Sequence, residues 1–380
     1  MSTTSAPAAC PLTYRLGARA LRRAPSIRCA TTLYAVGGLY GNTSALQAIR
    51  ERAAREPLPP TIVFNGDFNF FNGEPSWWRE LNTSIRDGEG HFATAGNVEV
   101  ESVNFESTGC GCGYPAYVSA GVVERSDRIV GALRAAAAAA EAPELLAWLR
   151  ALPKAVIVEI GNARRRVGIV HGDVDSLAGW QLGVEAMEPA DDSLRAALGC
   201  DAASGAATHL PTTPRTKLLN WFAEADVRGL LCTHTCLPFG QVLEAAAEDI
   251  GTARGGADEE ASTRKAVFNN GSAGMANFEG TTFGLITRVS DDLSVPSDSL
   301  YGGVAGGLRF DALPVHFEHT AWLALFGALW PEGSDAHESY HRRMVHGPSY
   351  TLRHAVRQLT TTHDGRALVG RAEAVPSCEG

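Results

Sequence analysis

Six apolar runs in this chain each stop at a small or polar loop, and that repetition constrains the fold more than any other feature. The first is YAVGGLYGN (34–42), followed at once by the amphipathic segment SALQAIRERAA. TIVFNGDFNFFN (61–72) stops at Gly66-Asp67 and HFATAGNVE (91–99) at Gly96-Asn97. AVIVEIGNARRRVGIVHGD (155–173) reads as a hairpin turning at Gly161-Asn162, its second strand ending at His171-Gly172-Asp173. VRGLLCTHTCLP (227–238) ends at His234, and KAVFNNGSAG (265–274) at Asn270-Gly271-Ser272. Short apolar runs bounded by such loops are buried strands that deliver loops from their carboxyl ends.

Helical segments lie between them: 43–55 with Thr43 or Ser44 as N-cap, SDRIVGALRAAAAAAE, PELLAWLRAL, and 213–225 with Pro214 near its start. Strands alternating with helices give an α/β fold, and the hairpin makes at least one sheet mixed. FGLITRV (283–289) reads as the last strand, and HTAWLALFGALW (319–330) and SDAHESYHRRMV (334–345) as later helices. This divides the chain into an N-terminal extension (1–30), a core (31–292) and a C-terminal helical and loop-rich extension (293–380) packed on the core. Residues 174–212 and 251–263 read as loops or insertions.

Composition narrows the function classes. A net charge of −9 argues against binding a nucleic-acid backbone by bulk charge. No apolar run is long enough to cross a bilayer. Residues 1–30 hold five arginines and no acid but no apolar signal region, so a basic extension in a cytoplasmic protein is expected. Its eight cysteines then read as thiols rather than as a disulfide framework.

In order, the strand-end loops are GGLYGN, NGDFN, AGNVE, VHGD, THTCLP and NNGSAG. Over roughly residues 30–290 this series resembles the calcineurin-like metallophosphoesterase superfamily, whose loops carry Asp-x-His-Gly-Asn, Gly-Asp, Gly-Asn-His-Glu/Asp, a lone His and Gly-His-x-His. The resemblance implies a four-layer α/β/β/α sandwich of two mixed sheets with a metal site at the strand ends. It also implies hydrolysis of a phosphate mono- or diester by a metal-activated hydroxide. By the same resemblance one metal is held by Asp67, Asn97, His171 and His234, with Asp67 placed to bridge to a second. The second metal's ligands are mostly replaced: Gly38 stands where the family has Asp, Tyr40 where it has His, and Cys236 where it has the last His. Val98 replaces the histidine beside the ligand asparagine.

Three readings follow. In the first, the chain is a metallohydrolase with a degenerate or rewired site holding one or two Mn, Fe or Zn ions, with Tyr40 and Cys236 as ligands for the second. In the second, it is a catalytically inactive relative serving binding or assembly. In the third, Cys110 and Cys112 of GCGCGYP join Cys236 on a soft cation; two buried thiols in a tight turn is the plainer alternative. The first sets the expectation: a small-molecule phosphate ester as partner, Asn69 and Asn72 binding its phosphate, and Asp173 orienting a ligand histidine. The aromatics Phe68, Phe70, Phe71, Trp77 and Trp78 read as packing, as do the C-terminal histidines, including the pair His337 and His341.

Overall fold

A computed structural model describes residues 12–198, 212–244 and 263–357. Residues 1–11 of the expected N-terminal extension, and the parts 199–211 and 251–262 of the expected loops, lie outside them.

Two mixed sheets face each other. The first runs in the order β1 (Ser26–Cys29), β5 (Ala155–Ile160), β6 (Arg165–Val170), β7 (Gly229–Cys232), β9 (Lys265–Asn269), β8 (Phe239–Leu243) and β13 (Val356–Arg357). The second runs β11 (Tyr301–Ala305), β12 (Leu308–Val315), β10 (Gly284–Ser290), β2 (Thr32–Val36), β3 (Thr61–Asn65) and β4 (His91–Thr94). Within each sheet three strands are mutually parallel: β2, β3 and β4 in one, β6, β7 and β9 in the other.

The period-two alternation of strand side chains builds the layers. Leu33, Ala35 and Val63 join the cluster shared with the facing sheet. Their neighbours Tyr34, Val36, Ile62 and Phe64 turn outward to meet Leu46 and Ile49 of the helix Thr43–Ala53 and Leu81 and Ile85 of the helix Pro75–Arg86. On the far side of the first sheet, Leu218, Trp221 and Phe222 of the helix Arg215–Ala225 are buried in the same continuous core. Phe310 of one sheet stacks on Phe268 of the other at 5.5 Å between centroids. The result is the expected four-layer sandwich.

The sheet continues past residue 292, where helix and loop were expected. β11 and β12 form a hairpin joined by Gly306 and Gly307, both at positive φ (58° and 75°), as a two-residue hairpin turn requires. The alternation in LRFDALPV is present, but Pro314 and the charged residues mask it. Pro314 lies near the end of the strand, where its missing N–H is tolerated. The hairpin buries Leu308, Phe310 and Ala312 between the sheets. The N-terminal segment is likewise drawn in, since β1 pairs with β5. Further elements were not anticipated, among them β8, the helix Asn97–Ser102, the helix Asp192–Ala197 within a segment expected as loop, and the helix Pro75–Arg86 capped by the Glu74 side chain. The N-cap of the helix Thr43–Ala53 is Asn42, whose Oδ1 accepts from the Ala45 N–H at 3.0 Å.

Candidate metal centre

The carboxyl ends of the two parallel triplets meet, and the six sequence loops converge there. A parallel bridge between Gly38 and Ser272 ties the β2 loop to the β9 loop across the sheets. Asp67 follows β3, Asn97 follows β4, His171 follows β6 and His234 follows β7. Asp67, His171 and His234 have ligand atoms within 4.8 Å of one another and are buried.

His171 Nε2 is the hub. It lies 3.3 Å from Asp67 Oδ1, 3.2 Å from Asn97 Oδ1 and 3.2 Å from His234 Nδ1. Backbone carbonyls set what these atoms present. His171 Nδ1 is 2.8 Å from the Asn65 carbonyl, which can only accept, so the proton sits on Nδ1 and the Nε2 lone pair faces inward. His234 Nε2 is likewise 2.8 Å from the Cys112 carbonyl, leaving the Nδ1 lone pair inward. The Asn97 amide donates Nδ2–H to the Cys110 carbonyl at 2.9 Å, which turns Oδ1 toward the centre. Four lone-pair donors thus converge in a buried space. One proton on His171 Nε2 can satisfy only one of the acceptors around it, whereas a cation satisfies all of them. This mixed N,O donor set fits a first-row divalent ion.

Electrostatics agree. Burial opposes charge on His171, but the adjacent Asp67 carboxylate outweighs it and raises the imidazole pKa. Burial would raise Asp67, yet the His171 charge holds it below its usual value. Burial and the neighbouring His171 push His234 down to about 4.

Glu99 was missed by the sequence analysis. It accepts from the N–H groups of Asp67 (2.6 Å), Phe68 (3.1 Å) and Gly96 (3.0 Å), so one buried carboxylate clamps the β3 loop to the β4 loop. Its spacing from Gly96, three residues into a helix, is a capping-box signal that could have found it. Burial and the charge of Asp67 push it up to about 7.

The other half of the expected site is rebuilt. The Tyr40 hydroxyl lies 2.7 Å from Cys236 Sγ, so the two expected ligands of a second metal pair with each other. Burial holds both groups above their usual pKa values. Tyr40, Asp67 and Cys236 all have left-handed backbone (φ 54°, 55° and 60°), a conformation non-glycine residues adopt at a cost and that clusters at functional sites. Gly38 is required by this arrangement: a Cβ there would lie 2.4 Å from Cζ of Tyr40. We expect Gly38→Ala to lose about 1–3 kcal/mol of stability by overpacking. Adding Tyr40→Ala should recover part of that loss, read as a positive coupling in a double-mutant cycle by urea denaturation.

Three expectations are corrected. Asn69 and Asn72 do not line the cleft; Asn69 exchanges hydrogen bonds with Asn82 and accepts one from Asn72, all three buried. Among the described residues Asp173 makes no hydrogen bond to a histidine; it accepts from the N–H groups of Asp175, Ser176 and Gln181 and so braces the loop that carries Trp180. Cys110 and Cys112 are joined as a disulfide, not free for a soft cation, because the tight Gly-Cys-Gly-Cys-Gly turn brings their Cα atoms to 5.3 Å. That turn nevertheless belongs to the site. The Cys112 carbonyl holds both His234 and the Trp180 indole (3.1 Å), and Trp180 meets His234 edge-on at 5.5 Å.

The cleft above these residues has a volume of about 330 Å³. Phe70, Tyr114, Trp180 and Tyr340 give it aromatic walls, while Phe68, Phe71 and Trp78 are buried in the core. His337 and His341 stack on each other at 4.3 Å and do not line it. The same helix, Asp335–His346, does reach the cleft through Tyr340 and Arg343.

No protein-family model and no curated protein matches the chain. Among solved structures it is similar to a metallophosphoesterase from Sphaerobacter thermophilus, at 16% identity and a TM-score of 0.44, covering 84% of this chain and 99% of that one. It is also similar to a hypothetical protein from Pyrococcus horikoshii OT3, at 13% identity and a TM-score of 0.46, with the same coverage of each chain. A serine/threonine phosphatase from Saccharomyces cerevisiae aligns over 78% of this chain and 86% of its own, at 15% identity and a TM-score of 0.34. The described residues of this chain form two mixed sheets, of seven and six strands.

Proposed function

We propose that this protein is a metal-dependent phosphoesterase that hydrolyses a phosphate mono- or diester with one cation held by Asp67, Asn97, His171 and His234. The observation that carries the reading is the convergence of four buried lone pairs on one point, each oriented by a backbone carbonyl or by chain geometry. A divalent Mn, Fe or Zn ion held by these four residues would supply Lewis acidity and lower the pKa of a water.

The chain's own residues do the rest. The Asn65 and Cys112 carbonyls hold the two imidazoles in one tautomer and one orientation. Glu99 fixes the left-handed turn at Asp67 by taking the Asp67 and Phe68 N–H groups. Trp180 covers one edge of His234 and limits water on that side. Tyr40, kept as a phenol by burial, offers a neutral hydroxyl where a second cation's ligand was expected.

The test is metal content per chain by mass spectrometry, paired with turnover of p-nitrophenyl phosphate and bis(p-nitrophenyl) phosphate in added Mn or Zn. We expect one ion per chain and metal-dependent release of nitrophenol. The pairing of Tyr40 with Cys236 favours a second reading, an inactive protein that binds phosphate esters. One bound ion with no turnover of either ester would select it, and no bound ion after soaking would overturn both.

A further inference from the structure

The helix Asp335–His346 was read from sequence as packing, yet it places Arg343 in the wall of the cleft, together with Asp67, Asn97 and His234. The guanidinium is half-buried and anchored on two backbone carbonyls: Nε donates to Ala276 at 3.1 Å and one terminal nitrogen to Cys236 at 2.9 Å. Those carbonyls belong to the β7 and β9 loops, so the head group is fixed to the site itself rather than to the surface. Among the described residues it forms no ion pair with a carboxylate, although Glu338 of its own helix lies at the rim of the same cleft. A partly desolvated cation without an anionic partner is costly unless a ligand supplies the anion. Its position is also informative, because its charge bears on Tyr40 and Cys236, the pair that occupies the expected second metal position.

We infer that Arg343 binds a phosphoryl oxygen of the substrate and supplies, from the C-terminal helix, the positive charge that a second cation would otherwise provide. This rests on the phosphoester reading of the site and specifies how its anion is held. Arginine suits this role because its charge is permanent and its planar fork leaves an unspent N–H edge for oxyanion geometry after two donors have been fixed by the protein. Arg125 also lines the cleft, but its Nε is committed to Ser339 Oγ at 2.7 Å on the side of the helix Ala120–Ala139, and no backbone carbonyl of the site loops holds it.

Orthophosphate affinity, measured by calorimetry with and without Mn, tests the inference. Arg343→Gln should melt within a few degrees of the parent and hold the same Mn per chain, yet bind orthophosphate at least about tenfold more weakly. Arg343→Lys, which restores the charge without the fork, should recover only part of the affinity. Unchanged phosphate affinity in Arg343→Gln would overturn the inference and reduce the residue to a strut between helix and loops, as would a parent protein that binds no phosphate in either condition. If the parent binds phosphate in an Arg343-dependent way but holds no Mn, the metal reading fails while the assignment of Arg343 stands.

Discussion

His171→Ala should empty the cation site. Every close contact in the cluster runs through His171 Nε2, which lies within 3.3 Å of Asp67, Asn97 and His234 donor atoms. Residues that only orient metal ligands typically cost 10- to 100-fold in affinity when removed, so loss of the hub ligand should cost at least about 100-fold. Mass spectrometry of the purified variant should find no stoichiometric Mn, Fe or Zn, and any phosphoesterase activity should fall to background. A contrasting control is His337→Ala, which alters a histidine outside the cleft and should leave the metal content at the parent level. An ion retained in full by His171→Ala would move the site away from this cluster.

Glu99→Ala should produce the largest loss of stability among single changes near the site. It leaves three buried N–H groups, those of Asp67, Phe68 and Gly96, without their acceptor. An unsatisfied buried donor costs about 1–3 kcal/mol, and entering water offsets part of the total, so a net loss of about 3 kcal/mol is expected in urea denaturation of the metal-free protein. The deficit should depend on pH. The folded carboxyl is raised from 4.5 to about 7, so between those values the folded state holds a proton that the unfolded chain has released. The stability this group contributes therefore declines as pH rises through that window, and the slope is absent without the carboxyl. The deficit of Glu99→Ala relative to the parent should be widest near pH 5 and narrower by pH 8. A loss below about 1 kcal/mol at every pH would mean that water serves the three N–H groups as well as the carboxylate does.

The strand-end loops carried most of the fold in a form that can be read. TIVFNGD and RRVGIVHGD announce strands because apolar β-branched runs stop abruptly at residues able to turn; Asp67 and His171 sit at their ends, and Asn97 and His234 at the ends of β4 and β7. The hairpin of residues 301–315 was obscured because a charged residue, Asp311, takes a buried position in it and Pro314 interrupts the run near its end. At the site, Asp67, Asn97, His171 and His234 were marked by the resemblance of their loops to a known series of motifs, and each follows its own strand. The resemblance gave no hint of Asn65 and Cys112, which act through carbonyl groups that every residue type possesses.

Local sequence determined which residues stand at the carboxyl ends of strands, because that depends on where an apolar run ends. Only the tertiary structure decided what those ends face. Asn69 and Asn72, a few residues from Asp67, turn into a buried network with Asn82. Arg343, more than 270 positions from Asp67 in the chain, reaches the same cleft. Gly38, an apparent gap in a ligand series, is the space into which the Tyr40 ring folds to meet Cys236. Each outcome rests on packing and on hydrogen bonds between segments far apart in sequence, and such contacts are fixed only when the two sheets close on one another.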